Sequence, residues 1–367
     1  VPRRLQTDRW LFLATVALCL IGAVMVFSSS AMTAREQFGS SYHFLWRQVL
    51  WLVVGLAGML GLMNFDYRKF RQLPFLFTGM FVVLILLVGV FFLDRSHATH
   101  RWIRIGPASL QPSELAKLVV ILFLAWFLEL RRRPQSFGVN DWRHTLAPAL
   151  APVFVLVALV VVEPDLGTAV AISLVAFTIL FVAGLSWGYV GAAGIAGLVA
   201  VAALILDRSY RYQRVVAFLN PNADPQGHGF QLMQSLIAVG SGGFTGVGLM
   251  ESKQKLFYLP EASSDFIFAV ICEELGFLGA AFVLALFAVY GWRGIRAAMR
   301  AQEDFGRFVA VGITAMVISQ ALINLGVVLG MMPTKGIPLP FISYGGSSLL
   351  VMLLATGVLL NISQQAE

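Results

Sequence analysis

The sequence predicts an all-α integral membrane protein: about ten transmembrane helices, both termini cytoplasmic, and a large outer loop with interfacial helices between spans 7 and 8. Three observations carry this reading. Hydrophobic residues make up 58 % of the chain and charged residues only 12 %, whereas soluble domains carry roughly 25 % charged residues. So little polar surface cannot cover a fold in water. The apolar residues also gather in runs of about 20, the length that spans a hydrocarbon core. Finally, the basic residues collect in alternate short loops, the signature of a fixed orientation.

Taken in order, the runs lie near 10–30, 45–65, 74–93, 113–130, 146–163, 167–184, 188–206, 267–291, 308–330 and 347–362. Arg3 and Arg4 before the first run imitate a signal peptide. The run from Trp10 to Phe27 exceeds the usual apolar core of about 7–15 residues, so it reads as an uncleaved first span. Only Glu163-Pro164-Asp165-Leu166-Gly167 separates the fifth run from the sixth, which marks a tight turn or a broken helix.

Four basic clusters fix the orientation. Arg3, Arg4 and Arg9 lie in the N-terminal tail, and Arg68, Lys69 and Arg71 between the second and third runs. Arg131, Arg132, Arg133 and Arg143 follow the fourth run, and Arg293, Arg296, Arg300 and Arg307 follow the eighth. All four fall on one side, which the positive-inside rule makes cytoplasmic. The loops near 94–112, 207–266 and 331–346 then face outward. The whole chain, 1–367, reads as one membrane domain, with 207–266 too long and too patterned for a passive linker. Within that loop Phe230, Met233, Leu236 and Ile237 recur at helical spacing, as in a helix lying in the interface plane. No internal repeat marks two related transporter halves.

The net charge of +7 is explained by topology and by anionic lipid, so nucleic acid is not an expected partner. Cys19 and Cys272 lie in apolar segments far apart in sequence, which suggests neither a disulfide framework nor a metal site.

Ionisable groups at membrane depth are costly and therefore informative. Four constellations stand out. In Gln111-Pro112-Ser113-Glu114-Leu115-Ala116-Lys117, Pro112 suits a helix start, and Glu114 and Lys117 share a face at i, i+3. An ion pair that merely fastens two helices explains them as well as a site does. Arg208, Arg211 and Arg214 present guanidinium forks suited to pyrophosphate, or a basic rim that snorkels to lipid headgroups. Between Lys253 and Phe266, Asp265 sits where the outer loop meets a long apolar helix. On residue chemistry alone the plainer reading of Asp265 is a helix N-cap, a role Ser263 or Ser264 could fill equally. Glu273 and Glu274 follow about two turns on, as a site or as a packing pair with basic partners. The last constellation runs from Pro333 to Ser348. Its prolines and glycines forbid a regular helix, so its backbone should line a polar cavity, to which Lys335 adds a cation. A rigid turn would explain the prolines but not the Ser-Gly-Gly-Ser-Ser run. The outcome is an outward polar cavity suited to a lipid with a pyrophosphate head, whether the chain acts on it or exports it.

Several segments resemble the SEDS family (shape, elongation, division and sporulation proteins). They are Arg101-Trp102-Ile103-Arg104 with Gln111 to Lys117, Glu163 to Ala169, Gly240-Ser241-Gly242-Gly243, Leu259-Pro260-Glu261 with Asp265 to Ala269, and Pro338 to Ser348. The match covers nearly the whole chain. The resemblance implies a peptidoglycan glycosyltransferase that polymerises lipid II at the outer face of the bacterial cytoplasmic membrane. It implies ten spans, an essential acidic residue at Asp265, and functional counterparts at Glu114 and Lys117. Family members often carry His-Thr where this chain has Ser263-Ser264. The segments from Gln254 to Ala262 and Pro333 to Gly336 look more like the division branch than the elongation branch, with the sporulation branch close. The resemblance also implies a class B penicillin-binding protein as partner, alongside lipid II, membrane lipid and other division-complex membrane proteins.

The expected chemistry joins an acceptor hydroxyl to the donor's anomeric carbon. Asp265 is the candidate catalytic base. Arg101, Glu114, Lys117, Arg211, Arg214, Lys253, Lys335, Ser343 and Ser347 are the candidate substrate-binding residues. No tightly bound cofactor is expected, although a divalent cation such as Mg or Mn could accompany the pyrophosphate. A helix N-terminus would lower the pKa of Asp265, and burial or nearby Glu groups would raise it.

Overall fold

The computed structural model describes residues 7–93, 101–105, 108–132, 137–221, 227, 229–256 and 258–365. Arg3, Arg4, Gly106, Arg133 and Phe257 lie outside the described residues. Among the described residues twelve α-helices follow one another. They are α1 (Arg9–Phe38), α2 (His43–Met63), α3 (Leu73–Leu93), α4 (Pro112–Arg131), α5 (Ala147–Val162) and α6 (Leu166–Ala183), then α7 (Trp187–Leu206), α8 (Ser209–Leu219), α9 (Phe230–Ser241), α10 (Ile267–Arg300), α11 (Asp304–Val328) and α12 (Gly346–Gln365). A short antiparallel hairpin, β1 (Ile103–Ile105) and β2 (Ala108–Leu110), precedes α4.

Each of the ten apolar runs is a helix. Among the described residues nine helices are long and apolar enough to cross a membrane, one of them counting Trp142–Val162 as a unit. The tenth, α4, has 20 residues but carries Glu114, Lys117, Glu129 and Arg131. Local signals set the boundaries. Asp8 caps α1 by accepting from Leu11 N at 3.1 Å, and Gly39, at φ 72°, ends it in the left-handed region. Pro112 opens α4, where its missing N–H costs nothing.

The two ends of the bundle differ in chemistry. At one end the basic clusters meet carboxylates. Arg68 reaches Glu303 at 2.8 Å, Arg71 bridges Glu129 and Glu303, and Arg132 pairs with Asp304. Arg293 pairs there with Asp8. These contacts join the N-terminal tail and the loops after α2, α4 and α10 at one end, as the loop charges require. At the other end gather the β hairpin, the turn between α5 and α6, α8, and the chain from Thr334 to Tyr344. The buried faces of α10, α11 and α12 form the centre of the bundle. Helix α7 has no buried residue. Only Tyr189 and Val190 in its first turn rest on the core, and its main neighbour is α8.

One element departs from the sequence reading. The eighth span is not one continuous helix, because Gly276 takes φ 63° and ψ −162° inside α10. The segment after α9 fills the break. Val247 N donates to Glu273 O at 3.0 Å and Gly248 N to Glu274 O at 3.1 Å, while Phe277 N donates to Gly243 O at 3.0 Å. Backbone groups freed by the break are thus paired again, as a low-dielectric setting demands. The approach is so close that a Cβ on Gly242 would meet Cys272 O at 1.9 Å.

Candidate active site

The site is assembled by α11. Gln320 and Asn324 stand one turn apart, at i and i+4, on a single face of this helix. Asn324 Nδ2 donates to Asp265 O at 2.7 Å and to Ile337 O at 2.8 Å. Gln320 Nε2 donates to Pro338 O at 3.0 Å, and Gln320 Oε1 accepts from Lys117 Nζ at 2.7 Å. Lys117 also donates to Glu114 at 2.8 Å, and both side chains are buried. One polar ladder therefore runs from α4 through α11 to the chain segments that carry Asp265 and Lys335.

A second set of bonds locks those two segments together. Ser343 Oγ donates to Ser264 O at 2.5 Å and accepts from Leu339 N at 2.8 Å. Tyr344 N donates to Ser263 O at 2.9 Å. The hydroxyl of Ser343 is thus engaged by the protein itself, and it positions the Asp265 loop. Ser347 is buried in the first turn of α12. Gly336 lies against the Asp265 carboxylate, and a Cβ there would stand 2.8 Å from Asp265 Oδ2.

Asp265 does not cap α10. The residue at the cap position is Phe266, with no side-chain cap bond, and Ser264 Oγ turns instead to Glu261. The half-buried Asp265 carboxyl is free for other work. Its pKa rises to about 7, because burial disfavours the charged form and Glu261 adds repulsion. Arg214 and Arg101 oppose that rise, and Asp165 adds to it. Burial and carboxylate repulsion outweigh the cations.

Lys335 responds to the same groups. Burial together with Arg214, Arg211 and Arg101 pulls its pKa down to about 8, with Asp165 acting the other way. Arg214 Nη1 reaches Thr334 O at 3.4 Å. Arg101 donates from Nε to Glu163 O at 3.1 Å and from Nη2 to Pro164 O. The buried Arg211 donates to Leu204 O at 2.9 Å and to the Tyr210 hydroxyl, so it also closes the end of α7. Arg101 and Arg214 therefore act on both Asp265 and Lys335, and Arg211 on Lys335, although these residues come from four distant parts of the chain.

Lys253 is not part of this group. Its side chain is exposed, and its backbone N–H donates to Glu273 Oε1 at 3.0 Å. The neighbouring Lys255 is buried instead, paired with Glu274 at 2.7 Å beside Ser28. Glu273 also accepts from Ser252 Oγ at 2.5 Å. The two glutamates of α10 thus hold the outer loop onto the bundle.

Sequence reasoning marked the turn between α5 and α6 but named neither of its carboxylates as a site residue. Asp165 caps α6 through Thr168 N at 3.1 Å and also accepts from Gln111 Nε2 at 3.0 Å. Glu163 is buried, with neither carboxylate oxygen bonded. Burial and Asp165 raise its pKa to about 8, with Arg101 opposing. Two carboxylates flanking a proline at a span junction are costly there, and that cost was the signal available.

The arrangement brings together two carboxyl groups raised toward neutral pH, Asp265 and Glu163, among several cations. The chain belongs to the family described as cell cycle protein, comprising FtsW, RodA and SpoVE, which it matches over residues 9–367. It is 43 % identical to stage V sporulation protein E of Bacillus subtilis, covering 100 % of this chain and 99 % of that one. It is 42 % identical to a probable peptidoglycan glycosyltransferase FtsW of Trichlorobacter lovleyi, covering 99 % and 94 %. Its structure is similar to a chain from a peptidoglycan synthase complex that coordinates polymerization and crosslinking, with TM-score 0.78, 31 % identity and 98 % of each chain covered. It is similar also to the rod shape determining protein RodA of Thermus thermophilus, with TM-score 0.72, 28 % identity, and 100 % and 99 % covered.

Proposed function

We propose that this chain is a peptidoglycan glycosyltransferase that polymerises lipid II, in the manner of FtsW, for cell division. The observation that carries the reading is the Asp265 carboxyl, with its pKa near 7, set within the field of Arg101 and Arg214, which act on Lys335 as well. A base works best when its pKa lies near the operating pH. Asp265 takes the proton from the acceptor sugar's 4-hydroxyl as that oxygen bonds to the donor's anomeric carbon. The bond from that carbon to the pyrophosphate oxygen breaks, and undecaprenyl pyrophosphate leaves. Arg214, Arg211, Arg101 and Lys335 meet the charge that develops on the leaving group. Their forks and point charge suit phosphate oxygens. Lipid tails reach the site from the bilayer along the flank where α7 stands away from the core.

The site faces the outer side of the cytoplasmic membrane, because the opposite end collects the short basic loops. A class B penicillin-binding protein is the proposed partner, supported by the likeness to a synthase complex. Among the described residues no group of three metal-ligating side chains occurs. A divalent cation would therefore be held chiefly by the substrate's phosphates.

Asp265→Asn in purified protein supplied with lipid II tests the assignment. Polymer should vanish while lipid II binding and thermal stability persist. Undiminished polymer would overturn the catalytic role. Lipid movement across liposomes without any glycan product would indicate a transporter instead.

A further inference from the structure

A charged cavity lies at the end of the bundle opposite Asp265, and glycosyl transfer makes no use of it. Three helices and the N-terminal tail enclose it, with a volume of about 380 Å³. Arg9 opens α1, and Arg293, Arg296 and Arg300 line one face of α10 at spacings of three and four residues. Gln364 of α12 donates from Nε2 to Thr7 Oγ1 at 2.9 Å, which fixes the tail across the cavity wall.

Among the described residues the charges in this space do not balance. Asp8 is its lining carboxylate, and Arg293 engages it through Nη2 and Nε, each 2.7 Å from Oδ2. Among the described residues no carboxylate pairs with Arg9, Arg296 or Arg300. Three guanidinium groups round one opening repel each other unless an anion joins them, and their donors match a phosphate with several free oxygens.

The surroundings select the source of that phosphate. Trp10 is 64 % exposed at the cavity and Leu13 is 57 % exposed one turn further along α1. They form an apolar strip that leads from the arginines along a membrane-spanning helix. Tryptophan at a helix end marks the membrane–water boundary. A free phosphate has no use for such a strip, whereas an acyl chain lies on it.

We propose that this cavity binds the headgroup phosphate of an anionic phospholipid, with the acyl chains along Trp10 and Leu13, in the leaflet opposite Asp265. The site would tie the ends of α1, α10 and α12 together when occupied.

The test uses the full chain in phosphatidylcholine nanodiscs with graded phosphatidylglycerol, reading retained lipid by native mass spectrometry. R296Q/R300Q should weaken phosphatidylglycerol retention by about thirtyfold, from two charges worth about 1 kcal/mol each near the surface. K69Q/R143Q removes the same charge at the same end but outside the cavity, and should change retention little. Equal loss in the two double variants would overturn the proposal in favour of general surface attraction. On the unmutated protein, phosphatidylglycerol should shield Arg296 and Arg300 from phenylglyoxal, and phosphatidylcholine should not. Equal shielding by millimolar inorganic phosphate in pure phosphatidylcholine discs would assign the cavity to free phosphate and sink the lipid reading. This readout needs no substitution, so it stands if a variant misfolds.

Discussion

The Asn324 carboxamide donates to the backbone carbonyl of Asp265 at 2.7 Å, and the same amide nitrogen reaches Ile337 O at 2.8 Å. One side chain on α11 thereby sets the distance between the loop that carries the base and the loop that carries Lys335. Asn324→Leu keeps the volume but leaves two carbonyls, the buried one of Ile337 and the half-buried one of Asp265, without this donor. An unsatisfied buried group costs about 1–3 kcal/mol. The variant should stay folded with a lowered thermal midpoint. Its rate of glycan synthesis should fall at least tenfold, since small misplacement of a catalytic group costs about that much or more. Asn324→Asp, which keeps the shape but loses the donor, should behave like the leucine variant in a lipid II polymerisation assay.

Gly336 makes a contrasting prediction. Its φ imposes no glycine requirement, but a Cβ would stand 2.8 Å from Asp265 Oδ2. Gly336→Ala should push the carboxylate aside at little cost in stability, because Gly336 is exposed and its loop is anchored elsewhere by Asn324 and Ser343. Polymerisation should drop by one to two orders of magnitude, as for a displaced base, with the melting temperature nearly unchanged. A stability loss that matched the activity loss would count against this account.

The pH profile should be bell-shaped. Asp265 must be ionised to accept a proton, and its pKa is about 7, so activity falls as pH drops below that value. Lys335 must be protonated to meet the leaving group, and its pKa is about 8, so activity falls again above that value. The optimum lies between them. Lys335→Arg keeps its charge throughout this range, so it should flatten the alkaline limb and leave the acidic limb in place. The stability consequences also have fixed signs. Asp265 is shifted up from 3.8, so its ionisation weakens the fold as pH rises between that value and about 7. Lys335 is shifted down from 10.5, so its protonation weakens the fold as pH falls from there to about 8.

The spans were legible in the sequence because lipid permits little else: a long apolar run must pair its own backbone, and a helix does so. The break at Gly276 was not legible. Glu274-Leu275-Gly276-Phe277 reads locally as continuing helix, and it is the approach of the segment from Gly243 to Gly248, far back in the chain, that satisfies the interrupted backbone. Asp265 shows the same limit at the site. A carboxylate before a long helix is chemically indistinguishable from a cap until the cap position proves to be Phe266. The choice between Lys253 and Lys255 likewise rests on Glu274 and Ser28, which are remote from both in sequence. Glu114 and Lys117 were legible because their relation is local, one turn on a helix.

That local pair gives the last prediction. Glu114 and Lys117 are both buried, 2.8 Å apart, and Lys117 passes the contact on to Gln320. Glu114 Oε2 has no bonded partner. Removing one member leaves the other as an uncompensated charge in low dielectric, which costs about 3–5 kcal/mol. Lys117→Met should therefore destabilise strongly. The double variant Glu114→Gln/Lys117→Met removes both charges and should recover most of that stability in a thermal unfolding assay. If the pair is only a fastener, the double variant should also recover polymerisation. If the pair also sets Gln320 against Pro338 O, which anchors the Lys335 loop, stability should return while activity stays low. The second outcome is the expected one, because Gln320 Oε1 loses its donor in both variants and its amide becomes free to turn.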